Sequence, residues 1–152
     1  MLRDPRITAM GLFAEAYAGL VAKTAAQFAD HGLGAVDFEV LVRLARSADG
    51  SLRMTDLAAQ TGLSTSGVTR VVDRLERDAM VERRACKTDR RGSFTVITES
   101  GYAKLSAVLP GHLELIEKWF TGRFTPADLE QLLTGIRQLR DAVRPEATSG
   151  AP

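Results

Sequence analysis

Residues 54–80 limit the possible fold more than any other segment, because their capping and stop residues predict two short helices joined by a tight turn. The first helix, MTDLAAQTG, has Thr55 as its predicted N-cap and Gly62 as its stop. The second begins after a turn of three or four residues with Ser64 as its predicted N-cap, and its pattern continues to about Ala79. Two helices joined in this way form a helix-turn-helix.

Helical periodicity gives the second of these helices two distinct faces. At about 100° per residue, one apolar stripe is predicted to be buried: Val68, Val72, Leu75 and Ala79. The opposite face carries hydroxyl side chains and arginines, which is typical either of a solvated helix or of a helix that reads DNA. Serine and threonine suit phosphates and base edges, and arginine suits guanine or phosphate. The candidate DNA-contacting residues here are Ser64, Thr65, Ser66, Thr69, Arg70, Asp73, Arg74 and Arg77.

A strongly basic turn follows, between two short runs predicted as strands at residues 81–86 and 93–98. Asp89 and Gly92 are its turn formers. Residues 83–91 contain five basic side chains and one acidic side chain, although the net charge of the whole chain is only +1. This concentrated charge either lies in a solvated turn or binds an anionic partner such as nucleic acid. The basic side chains are Arg83, Arg84, Lys87, Arg90 and Arg91.

Helical patterns flank this central segment on both sides. Thr98 and Thr125 are predicted to start two further amphipathic helices, and Pro110 is predicted to bend or break the first of them. The earlier helices are predicted at residues 6–30 and 35–48, and a very short strand at 51–53.

Composition argues against several classes of protein and of functional site. A chain of 152 residues, 45% hydrophobic and 26% charged, is long enough for one globular domain. The single cysteine, Cys86, excludes an intrachain disulfide and indicates a reducing cytoplasm. With only two histidines a zinc site is not expected, and we predict no metal, no cofactor and no membrane span. No clustered nucleophile and base indicate an enzyme.

The run DLAAQTGLSTSGVTRVVDRLERDAMVERR, continued by TDRRGSFTVITESG, resembles the MarR family of bacterial transcriptional regulators. The specific parts are VxRxVDRLE, the turn into VERR, the DRRG of the basic turn and the ITESG helix start. The resemblance covers nearly the whole chain. It implies a mainly α fold with a small β-hairpin wing (α+β). The implied single domain, 1–152, has a winged helix-turn-helix lobe at 35–98, dimerisation helices at 6–31 and 99–144, and a disordered tail at 145–152.

The resemblance also implies a function, that of a homodimeric repressor bound to a pseudopalindromic operator in double-stranded DNA. Its recognition helix would enter the major groove and its wing the minor groove. At the wing tip, Asp89 would orient Arg91 or hold the turn, while Arg90 or Arg91 enters the groove.

The base of the wing would supply phosphate contacts, through Lys87, Arg83 and Arg84. One of the two arginines has an alternative role, as the structural partner of Glu82 or Glu76.

Gly67 departs from the family pattern on the recognition helix. Glycine costs about 1 kcal/mol of helix propensity relative to alanine. It either permits close approach to DNA or is merely tolerated.

Members of this family are released from DNA by a small phenolic or aromatic-acid effector, or by oxidation of a cysteine. The sequence names no ligand. Cys86 is either a small packed residue or a redox sensor, and the second role requires an exposed thiol with a low pKa. A winged helix used only for protein contact is a further alternative. His31 and His112 are isolated, and we interpret them as a helix end and a packed or surface residue rather than as metal ligands.

Overall fold

A computed structural model describes residues 3–85 and 93–148. Within these ranges the chain is mainly helical with one small antiparallel sheet, which confirms the predicted fold class. The helices are α1 (Pro5–Asp30), α2 (Ala35–Ala45), α3 (Met54–Thr61), α4 (Thr65–Arg77), α5 (Glu99–Trp119) and α6 (Pro126–Val143). The strands are β1 (Ser51–Arg53), β2 (Val81–Ala85) and β3 (Ser93–Ile97), and short 3-10 turns lie at 48–50, 121–123 and 145–148.

Side-chain caps start three of the helices as predicted. Each cap accepts a hydrogen bond from the backbone N–H three residues later, and the caps are Ser64, Thr98 and Thr125. Gly62 ends α3 with a left-handed φ of 69°, as a helix stop requires. The predicted cap Thr55 is wrong, because β1 leads directly into α3 and Arg53 occupies the capping position.

Two helices are shorter than predicted. α2 ends at Ala45, because the extended backbone of Ser47, at φ −83° and ψ 162°, interrupts a helix to residue 48. α4 ends at Arg77, after which the N–H of Met80 bonds back to the Leu75 carbonyl at 2.8 Å. Ala79, inside this closing turn, is exposed at φ 55°, so its predicted place in the buried stripe is wrong.

The sheet has the order β1-β3-β2, with both pairs antiparallel. Thr95 on the central strand lies opposite Leu52 on one side and Arg83 on the other. The short strand predicted at 51–53 is therefore confirmed, and it joins the two strands of the wing rather than standing alone.

The apolar core lies between α2, α3, α4, the sheet and the adjoining ends of α1 and α5. Its fully buried side chains include Leu41, Leu44, Leu57, Val72 and Leu75. Burial of such a side chain stabilises the fold by about 1.5–3 kcal/mol. In contrast, Phe28 is the one buried residue of α1, and none of the 18 residues of α6 is buried, although the structure describes both helices in full.

α5 is continuous through Pro110, so the predicted break is wrong. Proline removes one backbone donor, here the one that would pair with the carbonyl of Ser106 four residues earlier. Near this position Gln27 of α1 donates from Nε2 to the Val108 carbonyl at 2.9 Å, which joins α1 to α5.

The disordered tail predicted at 145–152 needs correction in its first half. Residues 145–148 form a 3-10 turn whose Ala147 is only 6% exposed. The turn is ordered because Arg43 of α2 donates from Nη1 to the Ala147 carbonyl at 3.1 Å. Residues 149–152 lie outside the described ranges.

Candidate nucleic-acid interface

One side of α4 is built into the core and so fixes the direction of the other. Val68, Val72 and Leu75 are buried as predicted, and Val71 is buried with them at 7% exposure. The opposite side is therefore held in solvent by a packed helix rather than by a flexible loop. This is the arrangement that a protein needs in order to present side chains to a groove.

The N-terminal end of α4 is polar and open. Ser64 is occupied as the cap, because its Oγ accepts from the Gly67 N–H at 3.1 Å and lies 3.1 Å from Ser66 Oγ. Thr65 and Ser66 are exposed. Their backbone N–H groups are in the first turn, where a helix offers no acceptor and its dipole favours an anion. This end suits a phosphate oxygen.

Gly67 lies against the residue that caps α4. A Cβ built on Gly67 would lie 3.2 Å from Ser64 Oγ and 3.5 Å from Leu63 Cβ. The space left by the missing side chain thus faces the turn and its cap, not the exposed side of α4. Gly67 makes room for the capping hydroxyl.

Two arginines of α4 remain available for an external partner. Arg70 is exposed and has no ion pair within residues 3–85 and 93–148. Arg77 is exposed as well, and its Nε makes one long hydrogen bond, 3.4 Å, to the Asp73 carbonyl. Thr69 lies between the exposed and buried sides, and its hydroxyl donates to the Thr65 carbonyl at 2.8 Å.

Arg74 is exposed as well but is paired within the protein. Its Nε lies 3.1 Å from both carboxylate oxygens of Asp37, a largely buried residue of α2, and its Nη2 forms a salt bridge to the same carboxylate. The hydrogen bonds that Arg74 donates to Asp37 raise the pKa of the Arg74 guanidinium. Asp37 also accepts from the Gly34 N–H at 3.3 Å. Sequence reasoning missed Asp37, whose visible signal was an acidic residue in the first turn of α2.

Arg83 is bound in the same way at the base of the wing. Its Nη1 lies 2.5 Å from Glu76 Oε2, and its Nη2 lies 2.5 Å from Asp73 Oδ1. Burial lowers the pKa of Arg83, but the hydrogen bond with Asp73 and the charge of Glu76 outweigh it, so the pKa lies above its ordinary value. Asp73 and Arg83 therefore brace the wing against α4.

Arg84 pairs with Glu82 through a 2.6 Å hydrogen bond from Nε to Oε1. The sequence left open that one of these arginines pairs structurally with Glu82 or Glu76. In the structure both do, Arg83 with Glu76 and Arg84 with Glu82. The two differ in exposure, however, since the side chain of Arg84 is 65% exposed and that of Arg83 only 29%. An ion pair as exposed as that of Arg84 contributes little, and a phosphate can compete for it.

The wing tip lies outside the described residues. The predictions for Cys86, Lys87, Asp89, Arg90 and Arg91 therefore stay predictions. The described strands nonetheless reveal one basic residue that sequence reasoning missed. Arg53 of β1 lies opposite Phe94 of β3 and places its guanidinium 5.4 Å from the centre of that ring. No local pattern indicates this contact, because the strands are far apart in sequence.

A second surface, on the helices outside the lobe, is apolar. α1 and α6 line an open groove of about 840 Å³. Large side chains in and around it are strongly exposed, among them Met10 at 66%, Tyr17 at 65% and Val143 at 65%. Exposed apolar area of this extent marks a surface that binds another protein or a ligand.

A ring cluster joins α1, α2 and α5. Phe28 stacks on Phe38 with ring centres 4.6 Å apart, and His112 lies 5.0 and 4.7 Å from them. Burial lowers the pKa of His112. Its Nδ1 and the Oε1 of Gln27 are buried with no hydrogen-bond partner among the described residues. His112 is therefore a packed residue.

The described ranges contain no group of three or more metal-binding side chains, and no helix in them is long and apolar enough to cross a membrane.

Comparisons of this chain with known proteins agree on one family. A family model described as MarR family matches residues 31–92. The transcriptional repressor MprA of Escherichia coli is 34% identical over 125 residues, covering 78% of this chain and 71% of that protein. The chain spans little more than half the length of two Bacillus subtilis relatives, 59% and 53%, at 35% identity.

Two solved structures from Streptomyces coelicolor are similar over almost the whole chain. AbsC, a MarR family transcriptional regulator, superposes with a TM-score of 0.88 at 30% identity, covering 95% of this chain and 98% of that one. Sco3205, another MarR family regulator, was solved in complex with DNA. It superposes with a TM-score of 0.84 at 30% identity, covering 95% of this chain and 89% of that one.

Proposed function

This chain belongs to the MarR family of transcriptional regulators, and from that premise we propose that it is a sequence-specific regulator that binds double-stranded DNA as a homodimer. The observation that carries the proposal is the exposed side of α4, which combines an open helix N-terminus with Arg70 and Arg77. The DNA complex of Sco3205 supports the same partner.

The proposed reading residues are a subset of those that the sequence indicates. Thr65 and Ser66 contact phosphate or base edges at the helix N-terminus, and Arg70 reads a base in the major groove. Arg77, further along α4, contacts the backbone. Asp73, Arg74 and Arg83 act indirectly, because their charges are already paired within the lobe.

The wing is proposed to follow the backbone into the adjoining minor groove. Arg84 and Arg53 lie on the described strands and supply phosphate contacts near its base. Arg90 or Arg91 enters the groove, with Asp89 orienting one of them and Lys87 on a phosphate. Narrow A·T-rich minor grooves have an enhanced negative potential, which favours such an arginine.

The second copy is proposed to cover the apolar surface of α1 and α6. Apart from Phe28, neither helix buries an apolar side chain within one chain, and together they form the groove that contains Met10, Tyr17 and Val143. A two-fold dimer places two copies of α4 about 34–36 Å apart, which matches successive major grooves on one face of B-DNA. The binding site is then roughly palindromic.

Repression and release by a small phenolic or aromatic-acid effector complete the proposal. Their support is the family itself, including relatives named as repressors. Cys86 offers oxidation as a second means of release. The protein acts on the bacterial chromosome in the cytoplasm, without an enzymatic step.

Selection of genomic DNA fragments by the purified protein tests the function. We expect recovery of fragments that share an inverted repeat, with an affinity that falls as salt rises because bound counterions are released. Retention without a shared sequence, or no retention at low salt, contradicts the proposal. The second of these results favours a winged helix that binds only protein.

A further inference from the structure

The segment after α6 folds back onto the helix-turn-helix. We refer to residues 144–148 as the clasp. From the clasp, Arg144 Nη2 donates to the Ala59 carbonyl at 3.1 Å and to the Gln60 carbonyl at 3.4 Å. These contacts join positions 85 and 84 residues apart in sequence.

The two acceptors lie in the last turn of α3. The final carbonyls of a helix lack helical donors and carry the negative end of the helix dipole, so a cation there is favourable. α3 has no basic residue in its own last turn. Arg144 supplies that charge from the far end of the chain.

Gly62 shows how closely the guanidinium approaches the turn. A Cβ on Gly62 would lie 2.8 Å from Arg144 Nη2 and 3.0 Å from its Cζ. Only glycine leaves this space open, in addition to tolerating the φ of 69° at that position. Arg144 therefore lies directly on the turn that leads from α3 into α4.

The clasp is fixed at a second point as well. Arg43 of α2 donates from Nη1 to the Ala147 carbonyl at 3.1 Å and pairs with Glu39 at 3.2 Å. Ala147 is buried at 6% exposure. The segment is thus attached to both helices that precede the recognition helix, although α6 itself buries no residue.

We propose that Arg144 is a positioning residue for DNA binding, which sets the orientation of the helix-turn-helix relative to α6. This rests on the proposed function, because α6 belongs to the proposed dimer surface and the two copies of α4 must match two half-sites. Charge-assisted hydrogen bonds are the stronger and more directional class, so two of them can fix the turn. Arg144 acts through the turn and does not touch DNA.

The test compares two duplexes taken from DNA selected by the wild-type protein, one with both half-sites and one with a single half-site. For Arg144→Ala we expect about tenfold weaker binding to the full site, a typical size for coupling between distant sites. We expect less than about twofold change on the half-site, and tolerance of one added or removed base pair between half-sites that the wild-type protein rejects.

The matched control is Arg137→Ala. Arg137 is an exposed arginine two turns earlier in the chain, on α6, and it does not line the apolar groove. It should bind both duplexes as the wild-type protein does. Arg144→Gln keeps an amide donor on a shorter, uncharged side chain, and it replaces Arg144→Ala if that variant unfolds. We expect an intermediate loss, confined to the full site.

Wild-type affinity of Arg144→Ala or Arg144→Gln for the full site overturns the inference, and so do equal losses on both duplexes. Those equal losses indicate a purely structural role. Failure of the wild-type protein to select any DNA is a different result, which contradicts the proposed function itself.

Discussion

The lobe buries its apolar side chains within one chain, whereas the long outer helices α1 and α6 leave most of theirs exposed. In the lobe, α2, α3 and α4 close around Leu41, Leu57 and Leu75, each at most 1% exposed. In α1 and α6, Met10 and Val143 remain about two-thirds exposed. Under the proposed function, each lobe folds by itself and DNA binding depends on association through the outer helices.

The largest effect is expected from a charge placed in the apolar groove between α1 and α6. Phe13→Asp places a carboxylate where the second copy is proposed to pack, and an unpaired buried charge costs about 3–5 kcal/mol. We expect dissociation to monomers in light scattering and at least about a hundredfold weaker binding to selected DNA.

The control for this variant lies in the lobe. Val36 on α2 is 40% exposed, close to the 49% of Phe13, so Val36→Asp makes the same change at similar exposure. It should leave the dimer and the DNA affinity unchanged. A dimer that persists in Phe13→Asp rules out this groove as the interface.

Truncation of one leucine in the lobe and of one on α6 tests the difference between the two regions through their thermal stability. Leu57→Ala removes a fully buried side chain of the lobe and should cost about 2–5 kcal/mol, with the same loss at every protein concentration. Leu139→Ala, 47% exposed on α6, should lower the melting temperature mainly at low concentration, because its cost falls on association. Calorimetry over a range of concentrations measures both. A loss for Leu139→Ala that does not depend on concentration argues against the dimer.

Two arginines of α4 are expected to have different roles, Arg74 in stability and Arg70 in DNA recognition. Arg74→Ala leaves the largely buried Asp37 without its partner, and should destabilise the fold by about 1–3 kcal/mol. Arg70→Ala should change stability by less than about 0.5 kcal/mol. It should weaken DNA binding by about 1–3 kcal/mol and relax the preference at one base pair. Urea melts and titrations against mutated sites check the pair, and an unchanged base preference removes Arg70 from the reading set.

The smallest expected effect lies where the two regions meet. His112 packs against Phe28 and Phe38, and burial lowers its pKa from the ordinary value of 6.5. The unfolded chain therefore binds the proton more readily than the folded chain. Its contribution to stability is complete above pH 6.5 and is lost as the pH falls from there towards the lowered pKa.

His112→Phe removes this titration while keeping a ring in the cluster. Urea melts between pH 7.5 and pH 5.5 should show a smaller loss of stability for the variant than for the wild-type protein. Equal losses in both proteins exclude His112 as the titrating group.

Local signals predicted most of the fold. Capping by Ser64, Thr98 and Thr125, and the stop at Gly62, depend on residues within a few positions of one another. The pairing of Arg83 and Arg84 with nearby acids was within reach for the same reason. Ala79 was misplaced because the turn that closes α4 places it at φ 55°, where glycine would be the usual signal and this sequence has alanine.

Long-range contacts account for what the sequence analysis missed. Arg74 and Asp37 are 37 residues apart, and Arg144 reaches carbonyls 84 and 85 residues away. An arginine on an exposed stripe looks the same in the sequence whether it is paired, like Arg74, or has no ion pair within the described residues, like Arg70. The site residues therefore stay a prediction, and only the structure separates the exposed candidates from those that are paired within the protein.

The central claim is that two copies of the lobe read one DNA site through a dimer formed by the outer helices. The most direct measurement is the mass of the complex between the wild-type protein and a selected DNA duplex, by sedimentation at several protein concentrations. Two 16.5 kDa chains per duplex at saturation is the predicted result. A single chain bound per duplex contradicts the claim.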